Sequence, residues 1–124
     1  MKRDLVSLAD LSREEIQNLL DHAAHLKARL AEGIYDAPLA SRTLAMIFEK
    51  PSLRTRVTFE TGIQQLGGTA VYLAPADIQL GARETVGDIA RNLSRWVDLI
   101  MARTYSHAVL EELAEASSVP VING

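Results

Sequence analysis

The sequence contains no cysteine, and aromatic residues make up only 5% of its 124 residues. Without thiols the chain has no disulfide framework and no thiolate metal site, so a reducing compartment is expected. It also lacks a run of about 18 apolar residues that could span a membrane, and Met1 does not begin a signal peptide. Neither sign of charge dominates, because 13 Lys and Arg stand against 16 Asp and Glu. The net charge of −3 argues against non-specific nucleic-acid binding. We therefore expect a cytoplasmic protein with neither nucleic acid nor a membrane as partner.

What the sequence does contain is typical of a compact globular chain. Hydrophobic residues make up 48% and charged residues 23%, which excludes wholesale disorder. A length of 124 residues suits one domain, since domains usually run to about 100–200 residues. We therefore predict a single domain over residues 1–124.

The first predicted helix begins at a capping box. Ser12 is followed three residues later by Glu15, so each side chain can accept a hydrogen bond from the other residue's backbone N–H. Apolar residues then recur along one helical stripe: Ile16, Leu19, Leu20, Ala23 and Leu30. Gly33 provides the stop for this helix.

After this helix, apolar runs of strand length alternate with helical patterns. Strands are predicted at 43–48, 69–73, 99–102 and 119–122, and helices at 53–66, 86–97 and 109–116. The polar segment 75–84 is predicted to be a loop, and Pro120 to lie at a strand start or edge. This order predicts an α/β fold: a four-stranded parallel sheet with helices on both faces, preceded by an N-terminal helix, in three αβα layers. Because the chain ends directly after a strand of the buried type, we also expect a further C-terminal part.

Ligands of open parallel sheets bind beyond the carboxyl ends of the strands. The predicted strands are followed there by polar residues: Glu49 and Lys50, then 77–79, Arg103 and Thr104, and Asn123. A functional site is therefore expected along this rim.

The strongest local signal on the rim is a cluster of cations where a helix begins. Ser52 is a good N-cap, yet the first turn carries Arg54 and Arg56, with Lys50 just outside. Cations at a helix N-terminus oppose the helix dipole, by about 0.3–1 kcal/mol each, unless an anion is bound there. The alternative is a plain serine cap whose arginines pair with Glu49 or Glu60.

Other polar residues give weaker signals. Neither a P-loop nor a G-x-G-x-x-G motif is present, and no third ligand accompanies His22 and His25 to form a metal site. We expect His107 to be a cap or surface residue rather than a catalyst, and Trp96 to pack in the core or at an interface. The loop that contains Gln79 and Arg83 is interpreted either as a lid or partner contact or as a plain surface loop.

The segment from Phe48 to Arg56, F-E-K-P-S-L-R-T-R, resembles the carbamoyl-phosphate motif of the aspartate/ornithine carbamoyltransferase family. Lys50 is similar to the lysine of the ornithine branch, whose pattern is F-x-K-x-S-T-R-T-R. The run 99–103 resembles the family's second anchor, an arginine at a strand end, and 118–124 resembles the segment before its H-P-x-Q motif. The resemblance extends from about Leu5 to Gly124.

The resemblance implies roles for individual residues. Phosphate is bound by Ser52, the backbone N–H of Leu53, Arg54 and Thr55, where Leu53 replaces the family's usual threonine. Arg103 is the implied catalytic residue. The resemblance implies that it binds carbamoyl phosphate at the carbonyl and polarises that group. Gln79 is implied to contact carbamoyl phosphate across a trimer interface. Lys50 and Arg56 are supporting residues.

The implied activity is transfer of the carbamoyl group from carbamoyl phosphate to the δ-amine of L-ornithine, which gives citrulline and phosphate, as in arginine biosynthesis. The resemblance implies no metal and no organic cofactor, ornithine binding through a second domain beyond Gly124, and a homotrimer or a multiple of it. Two alternatives remain: another transcarbamoylase such as the aspartate enzyme, and a non-catalytic anion-binding fragment.

Overall fold

The computed structural model describes all 124 residues, and its centre is a four-stranded, all-parallel sheet. The strands lie in the order β2-β1-β3-β4 and span Thr69–Leu73, Thr43–Phe48, Leu99–Arg103 and Val121–Asn123. In register, Met46 of β1 pairs with Tyr72 of β2 on one side and with Met101 of β3 on the other. The predicted parallel sheet is therefore confirmed.

Five α-helices accompany the sheet. They are α1 (Arg13–Ala31), α2 (Leu53–Gln65), α3 (Pro75–Ile78), α4 (Val86–Leu93) and α5 (His107–Ala116), and a 3-10 turn (Leu8–Asp10) precedes them. None of these helices is both long and apolar enough to cross a membrane.

The apolar core lies on both faces of the sheet, because β1 is buried from Leu44 to Phe48. Alternate residues of a strand point to opposite faces, so Ala45 and Ile47 pack with α4 and α5. Met46 and Phe48 instead pack with Ile63 of α2. The predicted three layers are thereby confirmed, and the end of β1 lies within the core.

Helix α1 begins at the predicted capping box. Ser12 accepts a hydrogen bond from the Glu15 N–H at 3.2 Å, and Glu15 accepts one from the Ser12 N–H at 2.7 Å. None of the residues of α1 is buried, and Leu19 and Leu20 are 50% and 60% exposed. The apolar stripe therefore forms a helix but covers no core within this chain.

Several element boundaries differ from the predictions, most clearly in the segments 75–84, 86–97 and 119–122. The segment 75–84 is not all loop, because Pro75 begins the short helix α3 at a position where its missing N–H costs nothing. Helix α4 ends at Leu93, where the Ser94 hydroxyl donates to the Ala90 carbonyl and also contacts the Ser117 hydroxyl. Strand β4 begins only at Val121, after Pro120.

The outer edge of β4 is covered by the N-terminal segment, which sequence analysis did not predict. The Leu5 N–H donates to the Val121 carbonyl at 2.8 Å, and the Asn123 N–H donates to the Leu5 carbonyl at 2.9 Å. The Asp4 carboxylate also accepts a hydrogen bond from the Val121 N–H. The segment thus satisfies backbone groups that would otherwise be unpaired at the sheet edge.

Candidate functional site

The ends of β1 and β3 lie side by side and bring Glu49 and Arg103 of the predicted rim together. Phe48 is paired with Arg103, and the Glu49 N–H extends the ladder by donating to the Arg103 carbonyl at 2.9 Å. Gly124, after β4, accepts a hydrogen bond from Arg103 Nη1 at 3.4 Å. A Cβ atom on Gly124 would lie 3.4 Å from Thr55 Cγ2, so the first turn of α2 borders the same place.

Helix α2 begins at this rim with free backbone N–H groups. Ser52 is its N-cap, with φ −152° and ψ 122°, and its hydroxyl accepts a hydrogen bond from the Thr55 N–H at 3.3 Å. No acidic residue occupies the first turn. The earlier N–H groups of the helix, including that of Leu53, have no intrahelical partner. They are therefore available to an anion.

The two arginines of the first turn have different surroundings. The guanidinium of Arg56 lies 3.6 Å from the centroid of the Tyr72 ring, and its Nε is 3.4 Å from the Glu60 carboxylate. Arg54 is exposed and makes no hydrogen bond or ion pair. The alternative of pairing with Glu60 therefore holds for Arg56 alone, and Arg54 remains free for a ligand.

Lys50 and Glu49 both contact Tyr105, which follows β3. The Lys50 ammonium is 4.8 Å from the centroid of the Tyr105 ring, and the Glu49 carboxylate accepts a hydrogen bond from the Tyr105 N–H at 2.8 Å. Glu49 therefore does not pair with the arginines of α2. The sequence analysis did not identify Tyr105. The only signal for it in the sequence is that it lies two residues after Arg103.

Arg103 lies at the end of β3, as predicted, with its guanidinium incompletely paired. Its Nε is buried and has no hydrogen-bond partner. Arg103 makes no ion pair with a carboxylate. A ligand oxygen at this point would satisfy a donor that the protein leaves unpaired.

Gln79 is not brought to these residues within the chain. It ends α3 in a left-handed conformation, with φ 40° and ψ 57°, and its amide donates to the Ala76 carbonyl at 3.1 Å. The side chain is exposed and makes no hydrogen bond to Ser52, Arg54 or Arg103. Its predicted contact with a neighbouring subunit remains a prediction.

The residues with weaker signals lie outside the site. His107 is exposed, with Nε2 3.7 Å from the Glu111 carboxylate, as expected for a surface residue. His22 and His25 are also exposed, and no group of three or more His, Asp or Glu side chains could hold a metal ion. Trp96 is 74% exposed, so it does not pack in the core of this chain, and the alternative of packing at an interface stays a prediction.

Comparison with known proteins identifies the family. Residues 3–124 match the family described as aspartate/ornithine carbamoyltransferase, carbamoyl-P binding domain. The chain belongs to this family. It is 53% identical to the ornithine carbamoyltransferase of Anoxybacillus flavithermus and 55% identical to that of Staphylothermus marinus, each over 98% of this chain and 39% of the relative.

Solved structures of the carbamoyltransferase family share the fold. Ornithine carbamoyltransferase from Pyrococcus furiosus superposes with a TM-score of 0.96 at 51% identity, over 98% of this chain and 39% of that one. The catalytic subunit of M. jannaschii aspartate transcarbamoylase gives a TM-score of 0.89 at 33% identity, over 99% and 40%. The resemblance inferred from the motif is thus confirmed, and the chain spans about two-fifths of the length of these relatives.

Proposed function

We propose that this chain binds carbamoyl phosphate at the N-terminus of α2 and forms that part of an ornithine carbamoyltransferase. The observation that carries the proposal is the unpaired Arg54 beside the open N-terminus, within the same rim as the buried, unpaired Nε of Arg103. Two cations on one rim, neither of them paired with a carboxylate, are unfavourable unless a strongly negative ligand binds there. A phosphate dianion meets this requirement.

In the proposed complex, the phosphate group accepts hydrogen bonds from four neighbouring residues of α2. These are the Ser52 hydroxyl, the Leu53 N–H, the Arg54 guanidinium and the Thr55 hydroxyl. Charge-assisted bonds from a planar guanidinium to a phosphate are among the stronger polar contacts in proteins. Leu53 has no hydroxyl, so it can contribute only its backbone N–H.

Arg103 is proposed to bind the carbonyl oxygen of carbamoyl phosphate. The δ-amine of L-ornithine attacks the carbonyl carbon, a C–N bond forms, and the C–O bond to phosphate breaks. The leaving phosphate carries away the electron pair of that bond and accepts the proton that the amine loses. Arg103 stabilises the negative charge that develops on the carbonyl oxygen, while the phosphate contacts orient the reactants.

The remaining assignments belong to the same proposal. Lys50 and Arg56 support the site by adding positive charge near it, and Gln79 reaches carbamoyl phosphate bound to a neighbouring subunit of a homotrimer. L-ornithine binds through a second domain, and the protein acts in the cytoplasm. Sedimentation velocity tests the assembly, since a trimer supports this role of Gln79 and a monomer argues against it.

The alternative of an aspartate-type enzyme is less well supported. The chain is 51% identical to the ornithine carbamoyltransferase of Pyrococcus furiosus and 33% identical to the aspartate transcarbamoylase subunit. Lys50 also follows the ornithine pattern. The two hypotheses are distinguished by supplying L-ornithine or L-aspartate to a protein completed with a second domain. Only one of the two amines should yield a carbamoylated product.

Binding is tested by isothermal titration of the chain with phosphonoacetamide, in which a methylene group replaces the labile oxygen that bridges the carbonyl carbon and the phosphorus of carbamoyl phosphate. The proposal predicts saturable binding that inorganic phosphate competes away. Sulfate, a tetrahedral dianion that lacks the carbamoyl group, is the control for non-specific anion binding. Absence of phosphate-competitive binding would refute the site. Phosphate binding without a preference for phosphonoacetamide would favour the non-catalytic alternative.

A further inference from the structure

Arg103 has almost no side-chain partner to fix its direction. Its Nε makes no hydrogen bond, and Nη1 makes one long hydrogen bond to the Gly124 carbonyl. None of the ion pairs of the chain includes this guanidinium. The position of the Arg103 side chain therefore depends on the backbone from which it extends.

Glu49 holds that backbone at two points, the Arg103 carbonyl and the Tyr105 N–H. Its N–H donates to the Arg103 carbonyl at 2.9 Å, and its carboxylate accepts a hydrogen bond from the Tyr105 N–H at 2.8 Å. The two bonds come from one residue and enclose the segment 103–105 where β3 ends. The adjacent Lys50 ammonium lies over the Tyr105 ring, which adds a second contact between the same two segments.

The charge of Glu49 makes this arrangement unusual. A carboxylate beside a dianion site repels the ligand, so it weakens binding unless it has another role. Its hydrogen bond to the Tyr105 N–H supplies such a role, because a carboxylate is a stronger acceptor for a backbone N–H than a neutral oxygen.

We propose that Glu49 is a positioning residue that holds residues 103–105 so that Arg103 is directed toward the carbonyl oxygen of carbamoyl phosphate. This inference rests on the proposed function, since it assumes that Arg103 binds the carbonyl. It assigns Glu49 no contact with the ligand. Replacing Glu49 should therefore weaken recognition of the carbamoyl group and leave recognition of the phosphate group nearly unchanged.

The test compares two ligands, inorganic phosphate and phosphonoacetamide, of which only the second has a carbonyl. Their affinities are measured by titration calorimetry for the parent chain, Glu49→Ala, Glu49→Gln and Glu49→Asp. We expect Glu49→Ala to lower the affinity for phosphonoacetamide about fivefold or more. The affinity for phosphate should fall less than about twofold. Glu49→Gln keeps an acceptor at the same reach and should restore most of the difference. Glu49→Asp keeps the charge but is one methylene shorter, so it should behave like alanine.

Each other outcome is decisive. If Glu49→Ala and Glu49→Asp lower the affinities for both ligands equally, or change neither affinity, Glu49 does not act through Arg103. The proposed function still stands in that case, because the parent binds both ligands. If the parent binds neither ligand, the proposed function fails and this inference fails with it. Circular dichroism monitors folding, and if Glu49→Ala is unfolded, the ratio of affinities in the glutamine and aspartate variants decides the question.

Discussion

The guanidinium of Arg56 lies over the Tyr72 ring, 3.6 Å from its centroid. Tyr72 belongs to β2 and itself packs on Phe48 of β1, with the two ring centroids 5.4 Å apart. One arginine of the first turn of α2 is thereby joined to the sheet. Arg54, two residues earlier, has no such partner, so the two side chains make different contributions to binding and to stability.

Replacing each arginine with alanine should separate these contributions. Arg54→Ala should lower phosphate affinity about tenfold or more, since it removes a charge-assisted contact to the ligand. Arg56→Ala should lower the free energy of unfolding by about 0.5–1 kcal/mol through loss of the contact with Tyr72. It should change phosphate affinity much less. Titration calorimetry and urea unfolding measure the two effects, and equal losses of phosphate affinity in both variants would contradict the assignment.

Leu53 is expected to act through its backbone N–H. Leu53→Pro removes that N–H at the first position of a helix, where proline is well tolerated, and Ser52 before it is already extended. Phosphate affinity should fall about tenfold while the helix is retained. The controls are Leu53→Ala and Leu53→Thr, which should bind within about twofold of the parent, because the side chain is exposed. Much tighter binding by the threonine variant would show that a hydroxyl matters here.

Local signals were sufficient to predict the elements that carry the site. Ser52 marks the start of α2 because a cap needs only its own helix, and the apolar run of β1 marks a strand covered on both faces. The pairing of Leu5 with β4 was not predictable, since it joins distant parts of the chain. Tyr105 was missed for a related reason, because its contacts with Glu49 depend on the register between β1 and β3.

Gly67 ends α2 in a conformation that other residues adopt only with strain. Its φ is +89°, and a Cβ atom there would lie 2.8 Å from the Ala37 Cβ. Gly67→Ala should therefore lower the free energy of unfolding by at least about 1–2 kcal/mol. Gly62→Ala, within the same helix and with open space around it, should instead raise that free energy by up to about 1 kcal/mol. Thermal or urea unfolding of both variants measures the contrast, and two changes of the same sign would contradict it.

The capping box of α1 makes stability depend on pH. The Ser12 N–H above all, together with Arg3 and the Ser12 hydroxyl, lowers the pKa of Glu15 from 4.5 to about 2. A lowered pKa in the folded state stabilises the fold above pH 4.5, and this contribution is lost as the pH falls toward 2. Glu15→Gln lacks the charge, so its free energy of unfolding should be lower than that of the parent by a constant amount above pH 4.5. The difference should shrink as the pH falls from 4.5 toward 2.

Urea unfolding of the parent and of Glu15→Gln at a series of pH values tests this prediction. Taking the difference between the two proteins cancels the contribution of other carboxylates whose pKa is lowered by hydrogen bonds, such as Asp98, which accepts from the Thr43 N–H and from Arg42. A deficit that stays the same from pH 7 down to the pKa of about 2 would show that the Glu15 charge does not stabilise the helix.

The pairing of Leu5 with β4 has a consequence for biosynthesis. The hydrogen bonds of the adjacent residues Asp4 and Val6, to Val121 and Asn123, join residues 117 positions apart in the chain. At about 5–20 residues per second, a ribosome needs roughly 6–23 s to make that intervening length. Throughout this time the first residues have no strand beside them. The sheet edge can therefore close only after Asn123 has been synthesised, and until then a chaperone or another nascent chain has access to the first residues.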